Sequence, residues 1–266
     1  MSKQYKSVLT IAGSDSGGGA GVQADIKSIS ANGAYAASVI TATTAQNTQG
    51  ILDIHTIPTS HIKTQLDAVL SDIDFGAIKI GMLPSAEIIV LVQGTLRRYG
   101  IEKVILDPVM VASSGSRLMG EDALVCLKKF LPEVYLITPN IPEAEVLIGH
   151  EISLENMEES TKEIATQFKV SVLLKGGHLA HKEMMTDILY NYETKIVTTI
   201  QNKTIQTDHT HGTGCSLASS IATFICLGDS LDEAVQKGCA YVNRAIDAGK
   251  DKTLGKGNNP INHFGL

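Results

Sequence analysis

Two rhythms of hydrophobic and polar positions alternate along the chain. Short β-rich apolar runs at 7–12, 36–43, 77–81, 103–107, 134–138 and 170–175 predict strands. Helical spacing between them predicts helices at 22–32, 60–71, 85–99, 121–131, 142–149 and 153–168. Strand-then-helix order with short connections requires a parallel sheet covered by helices on both faces. The rhythm then changes. Residues 186–192 and 195–200 are both strand-like, with a tight turn near Glu193-Thr194, which predicts an antiparallel hairpin. Two helices follow, at 215–227 and 231–250. Ser230 is placed to cap the second, with Asp232 and Glu233 in its first turn. No linker, low-complexity segment or fixed-period repeat divides the chain, so the pattern reads as one α/β domain.

In such folds ligands sit beyond the carboxyl ends of the parallel strands. The polar and glycine clusters of this chain fall there, at 13–21, 44–49, 81–82, 107–115, 138–143, 175–178 and 210–215. Composition narrows the ligand. The chain has 266 residues, 43% hydrophobic and 19% charged, enough for a large core. A net charge of −6 and a pI of 5.7 exclude a nucleic-acid binder driven by phosphate neutralisation. The four cysteines have no CxxC spacing, which suits a reducing compartment. With a polar N-terminus and no apolar run able to span a bilayer, the expectation is a soluble cytoplasmic protein.

His211-Gly212-Thr213-Gly214-Cys215 leads from an extended run into a helix. Its glycines let backbone N–H groups converge at a helix N-terminus, where they bind anions; the alternative is a glycine turn capping a buried helix. The position predicts a lowered thiol pKa for Cys215. The first glycine loop, Gly13-Ser14-Asp15-Ser16-Gly17-Gly18-Gly19-Ala20-Gly21, is not followed by an acid at the end of the next strand, nor by Gly-Lys-Ser/Thr. Neither a dinucleotide fold nor a P-loop fits it. Asp25 faces the ligand or is a solvated charge. Gln46 offers a donor and an acceptor to a heteroaromatic ring bearing an amino group, or is a loop residue without a role. Asn140 and Glu143 flank Pro142, which marks a helix start; they suit a hydrated Mg²⁺ or are ordinary helix-start polarity. Lys175-Gly176-Gly177-His178 suits a polyphosphate. The histidines show no zinc-type pairing, and His209-Thr210-His211 is a weak metal candidate.

Taken together, these segments resemble a known family. They are Leu9 to Asp15 with Gly17 to Asp25, Ala45-Gln46-Asn47-Thr48, Lys79-Ile80-Gly81-Met82-Leu83, Asp107-Pro108-Val109-Met110, Thr138-Pro139-Asn140, Lys175 to His178, Thr210 to Cys215, and the tail from Gly255 to Phe264. In that order they resemble the hydroxymethylpyrimidine/phosphomethylpyrimidine kinases of the ribokinase-like superfamily. The resemblance implies a three-layer α/β/α fold and Mg-ATP, with K⁺ as a further candidate ion. The implied substrates are the alcohol of 4-amino-5-hydroxymethyl-2-methylpyrimidine and then its monophosphate. It assigns Gly13, Asp25, Thr44, Gln46, Met82 and Val109 to the pyrimidine pocket. Asn140, Lys175 and Thr207 go to ATP, Glu143 to magnesium, and Gly212, Thr213, Gly214 and Cys215 to the anion hole, with Cys215 as base or backbone donor. It also implies a homodimer. Two departures from the family pattern stand out: the segment Ser113-Ser114-Gly115-Ser116-Arg117 has no lysine, and His209 replaces a common asparagine. Pyridoxal kinase is the nearest competing reading. An NAD-dependent oxidoreductase and a non-catalytic vitamin-binding protein are the others.

Overall fold

The computed structural model describes residues 4–110, 119–177 and 183–265. Nine strands form one sheet in the order β3-β2-β1-β4-β5-β6-β7-β8-β9. The strands are β1 (Ser7–Asp15), β2 (Tyr35–Asn47), β3 (Gly50–Thr56), β4 (Ala77–Ile80), β5 (Val104–Leu106), β6 (Leu136–Ile137), β7 (Ser171–Leu174), β8 (Met184–Asn191) and β9 (Ile196–Lys203). The core from β2 through β7 is parallel. β8 and β9 form the antiparallel hairpin expected from the pattern. One strand lies outside the expectation. β3 runs antiparallel to β2 at the opposite edge. Most of its residues are exposed, so no core-facing alternation marks it in the sequence.

The helices are α1 (Gly21–Ala31), α2 (Thr59–Leu70), α3 (Ala86–Arg98), α4 (Glu121–Phe130), α5 (Ile141–Ile148), α6 (Met157–Phe168), α7 (Thr213–Leu227) and α8 (Leu231–Gly249). Strand residues alternate between two cores, as the period of two demands. Leu9, Ile11, Ile78, Ile80, Val104, Leu106, Val172 and Leu174 face Ile62, Leu66, Ile89, Leu127, Leu147 and Ile164 of α2 to α6. Val8, Ala77, Ile105, Leu136 and Leu173 face Ile29, Ile221 and Val235 of α1, α7 and α8. These are the three layers. Local signals fix the boundaries. Ser230 and Glu233 form a capping box on α8, as read from the sequence. α5 begins at Ile141, one residue before the expected start, because Asn140 and Glu143 cap it reciprocally.

Four cysteines are free; Cys226 and Cys239 are buried in the core and Cys126 is half-buried. Among the described residues, no helix is long and apolar enough to cross a membrane.

Candidate active site

The chain leaves β1 for β2 on one side and reaches β4 on the other. The topological switch point therefore lies at the carboxyl ends of β1 and β4. A cavity of about 1300 Å³ opens there. Thirteen of the fourteen predicted site residues line it: Gly13, Thr44, Gln46, Met82, Val109, Asn140, Glu143, Lys175, Thr207, Gly212, Thr213, Gly214 and Cys215.

Asp25 is the exception and corrects the expectation that it faces the ligand. It is fully buried beneath the cavity. Its carboxylate accepts from Lys79 Nζ at 2.8 and 2.9 Å, from Thr10 Oγ1 at 2.6 Å and from Ser219 Oγ at 2.7 Å. Thr10 and Lys79 share strand parity with Val8 and Ala77, so both point to the face covered by α1 and α7. In the sequence Lys79 stands only within the family-like segment Lys79 to Leu83, with no role of its own. The fully apolar setting of β4 in a central parallel sheet was the available signal. Burial lowers the Lys79 pKa, and the charge and hydrogen bond of Asp25, together with Cys215 and Asp107, more than reverse this.

Asp107, at the end of β5, is the second residue without an earlier role. It is buried and accepts from Lys175 Nζ at 2.9 Å and Thr138 Oγ1 at 3.0 Å. Burial raises its pKa, but Lys175 and then Lys79 hold the carboxyl below its ordinary value. Lys175 pairs with Asn140 in an isolated parallel bridge, which places it beside the α5 cap. Glu143 N–H donates to Asn140 Oδ1 at 2.9 Å, and Asn140 N–H to Glu143 Oε2 at 2.8 Å. The pair is thus a helix cap, and both residues also line the cavity. Burial pushes Glu143 up to about 7, against the pull of Lys175 and with the push of Asp107.

The anion loop is built by contact with the first glycine loop. Gly212 caps α7 with φ +87°, and a Cβ there would strike the Gly19 carbonyl. Asp15 organises the other side. Its carboxylate accepts from the N–H groups of Gly17 (2.8 Å), Gly19 (3.0 Å) and Ala20 (2.8 Å), and lies 3.0 Å from His211 Nε2. Burial raises the Asp15 pKa; His211 and the Ala20 and Gly17 N–H groups outweigh that and hold it low. The Thr213 N–H is occupied by the Thr210 carbonyl at 3.2 Å. Gly214 and Cys215 lie in the first turn, where N–H groups have no carbonyl ahead of them in the helix. A Cβ on Gly214 would lie 3.4 Å from Asp107 Oδ2 and 3.5 Å from Lys175 Nζ, so the first turn of α7 passes close to that ion pair.

Cys215 departs from its expected pKa. Burial pushes the thiol up to about 11. Lys79 opposes this, Asp25 and Asp107 add to it, and the Gly21 N–H donates to the sulfur. Of the remaining expectations, Ser113 to Arg117 and His178 lie outside the described residues. Among the described residues no cluster of three or more His, Cys, Asp or Glu forms a metal site, and His209 instead contacts the Gly249 carbonyl and Asn259.

Residues 15–262 match the family model described as phosphomethylpyrimidine kinase. The chain belongs to the phosphomethylpyrimidine kinase family. It is 46% identical over 260 residues to a bifunctional thiamine biosynthesis protein of Geobacter sulfurreducens; the match takes in 97% of this chain and 52% of that protein, about half its length. Among solved structures, phosphomethylpyrimidine kinase from Clostridium difficile superposes with a TM-score of 0.79 at 41% identity, covering 90% of this chain and 99% of that one. Pyridoxal kinase from Staphylococcus aureus, in complex with AMP-PCP and pyridoxal, superposes with a TM-score of 0.88 at 29% identity, covering 99% and 95%. The architecture is thus common to both kinases. Its closeness alone does not separate their substrates, since function resides in the site.

Proposed function

We propose that this chain forms one kinase domain in the cytoplasm that phosphorylates 4-amino-5-hydroxymethyl-2-methylpyrimidine and then its monophosphate, with ATP as donor. The observation that carries this reading is the placement of α7. Its helix packs beneath β1, β4 and β5 at the middle of the sheet. Gln46 stands at the end of β2 on one side, and Asn140 and Lys175 at the ends of β6 and β7 on the other. A ring held by Gln46, Met82 and Val109 would present its alcohol to a γ-phosphoryl group over the α7 N-terminus.

Charge develops on the phosphoryl oxygens as the alcohol attacks in line. The Gly214 and Cys215 N–H groups and the Lys175 ammonium would meet that charge without reorganising. Since burial pushes the Cys215 thiol up to about 11, this reading gives the residue first the role of a backbone donor. A loose transition state demands little from a base. The donor set also bears on magnesium. Asp107 and Glu143 are two carboxylates beside Lys175, which fits an ion that arrives with the polyphosphate and keeps waters, rather than one caged by protein. When bound with ATP, it would supply positive charge to the polyphosphate.

The reading includes a homodimer. β3 leaves one edge of the sheet open, with Leu52 81% exposed and Ile54 also exposed, and supports a second copy as its cover. An ATP-coupled assay with the pyrimidine alcohol and pyridoxal, run with and without K⁺, tests the substrate. Turnover of the pyrimidine is expected; turnover of pyridoxal alone overturns the assignment.

A further inference from the structure

His211 and Asp15, which join the two glycine loops, also contact the substrate reader. His211 Nε2 lies 3.0 Å from Asp15 Oδ2 and 3.5 Å from the Gln46 carboxamide nitrogen position. The other end of that carboxamide lies 3.0 Å from Thr44 Oγ1, which also donates to the Ser14 carbonyl at 3.1 Å. The His211 side chain is 11% exposed and that of Asp15 3%, so water does not substitute freely for these partners.

The two ends of a carboxamide have the same shape, and the network assigns them. Asp15 already accepts from three backbone N–H groups, as a carboxylate does. Facing it, His211 Nε2 carries a proton and donates. That one hydrogen points at Asp15, 3.0 Å away; a carboxamide nitrogen 3.5 Å from the ring nitrogen would set N–H against N–H, whereas an oxygen there takes the minor share of a three-centre bond. At the far end the Thr44 hydroxyl serves either orientation: its hydrogen goes to a Gln46 oxygen at 3.0 Å, or to the Ser14 carbonyl at 3.1 Å when the Gln46 nitrogen is there. In the second case its oxygen accepts from the Gln46 amide nitrogen. The His211 end therefore decides: the orientation without a donor–donor contact puts the Gln46 oxygen toward His211 and the nitrogen toward Thr44.

We propose that His211, held by Asp15, is a specificity-determining positioning residue that fixes which end of the Gln46 carboxamide meets each polar group of the substrate. The proposal rests on the pyrimidine kinase reading. A 4-aminopyrimidine presents a donor, its amino group, beside an acceptor, its ring nitrogen. The 4-oxo analogue presents the inverse pattern, a carbonyl oxygen beside a ring N–H. A carboxamide locked in one orientation accepts the first and rejects the second; a free one turns over and accommodates both. His211 also packs its ring on Gly19, where a Cβ would strike it, and it opens the anion loop. Reader and anion hole are thereby joined through one side chain.

The test compares kcat/KM for the amino and 4-oxo alcohols in wild type, His211→Phe and His211→Gln. Phenylalanine keeps the ring and loses the donor; glutamine restores an N–H near the Nε2 position. The amino-to-oxo ratio is expected to fall at least about tenfold in His211→Phe, the scale of losing one oriented hydrogen bond in a buried site, and to recover in His211→Gln. Asp15→Asn, which keeps His211 but removes its obligate acceptor, should lower the same ratio and serves if His211→Phe does not fold. A general loss of packing lowers both substrates together and leaves the ratio alone. An unchanged ratio in the folded variants overturns the proposal. No turnover of the amino alcohol by wild type overturns the kinase reading instead, and this one with it.

Discussion

Cys215 occupies the helix position that lowers a thiol pKa, yet burial between Asp25 and Asp107 prevails and holds it at about 11. Alkylation of Cys215 by iodoacetamide, followed by mass spectrometry, should therefore keep accelerating beyond pH 9. A plateau below pH 8 would show a thiolate and restore the base. Cys215→Ala retains both backbone donors. Its kcat should fall by less than the roughly 10²–10⁴-fold typical of a lost general base. Glu143 tests burial from the other direction. Its pKa rises from the ordinary 4.5 to about 7, so the native protein holds a proton that the unfolded chain releases. Stability contributed by this group is present below pH 4.5 and declines as pH rises through 7. Glu143→Gln preserves the α5 cap, since glutamine also serves at that position. Melting curves without nucleotide should show it more stable than wild type at pH 8 and equal to it near pH 4. A variant that is less stable at pH 8 would contradict the buried-charge account.

At the scale of elements, the sheet and its helices were legible because hydrophobic period reports burial, and burial is what most of the elements share. β3 was not, since an exposed edge strand has no inward face to mark. The loops of the site were legible as glycine and polar clusters at strand ends. The buried polar pairs beneath them were not. Asp25 and Lys79 meet across 54 residues, and Asp15 and His211 across 196, so no local pattern signals either contact. The Lys79–Asp25 pair ties β1, β4, α1 and α7 together under the anion loop. Lys79→Met alone leaves a buried carboxylate unpaired and should cost about 3–5 kcal/mol in chemical unfolding. Adding Asp25→Leu should recover part of that loss but not all, because Thr10 and Ser219 lose their acceptor. A double variant no more stable than the single would show that the charge pair is not the source.

At the scale of the whole molecule, the same layered sheet serves pyrimidine and pyridoxal kinases, so architecture leaves the chemistry to strand-end side chains. In the proposed reading Gln46, oriented by His211, would separate the two substrate classes at one end of the cavity, and Lys175 with Asp107 and the first turn of α7 would serve either class at the other. The feature that distinguishes this kinase reading from its competitor is a second phosphorylation at the same site. The purified chain should be given ATP, Mg²⁺ and the pyrimidine monophosphate, and the products separated by anion-exchange chromatography. The account predicts formation of the pyrimidine pyrophosphate with equimolar ADP. No product from the monophosphate, alongside turnover of pyridoxal under the same conditions, would contradict it.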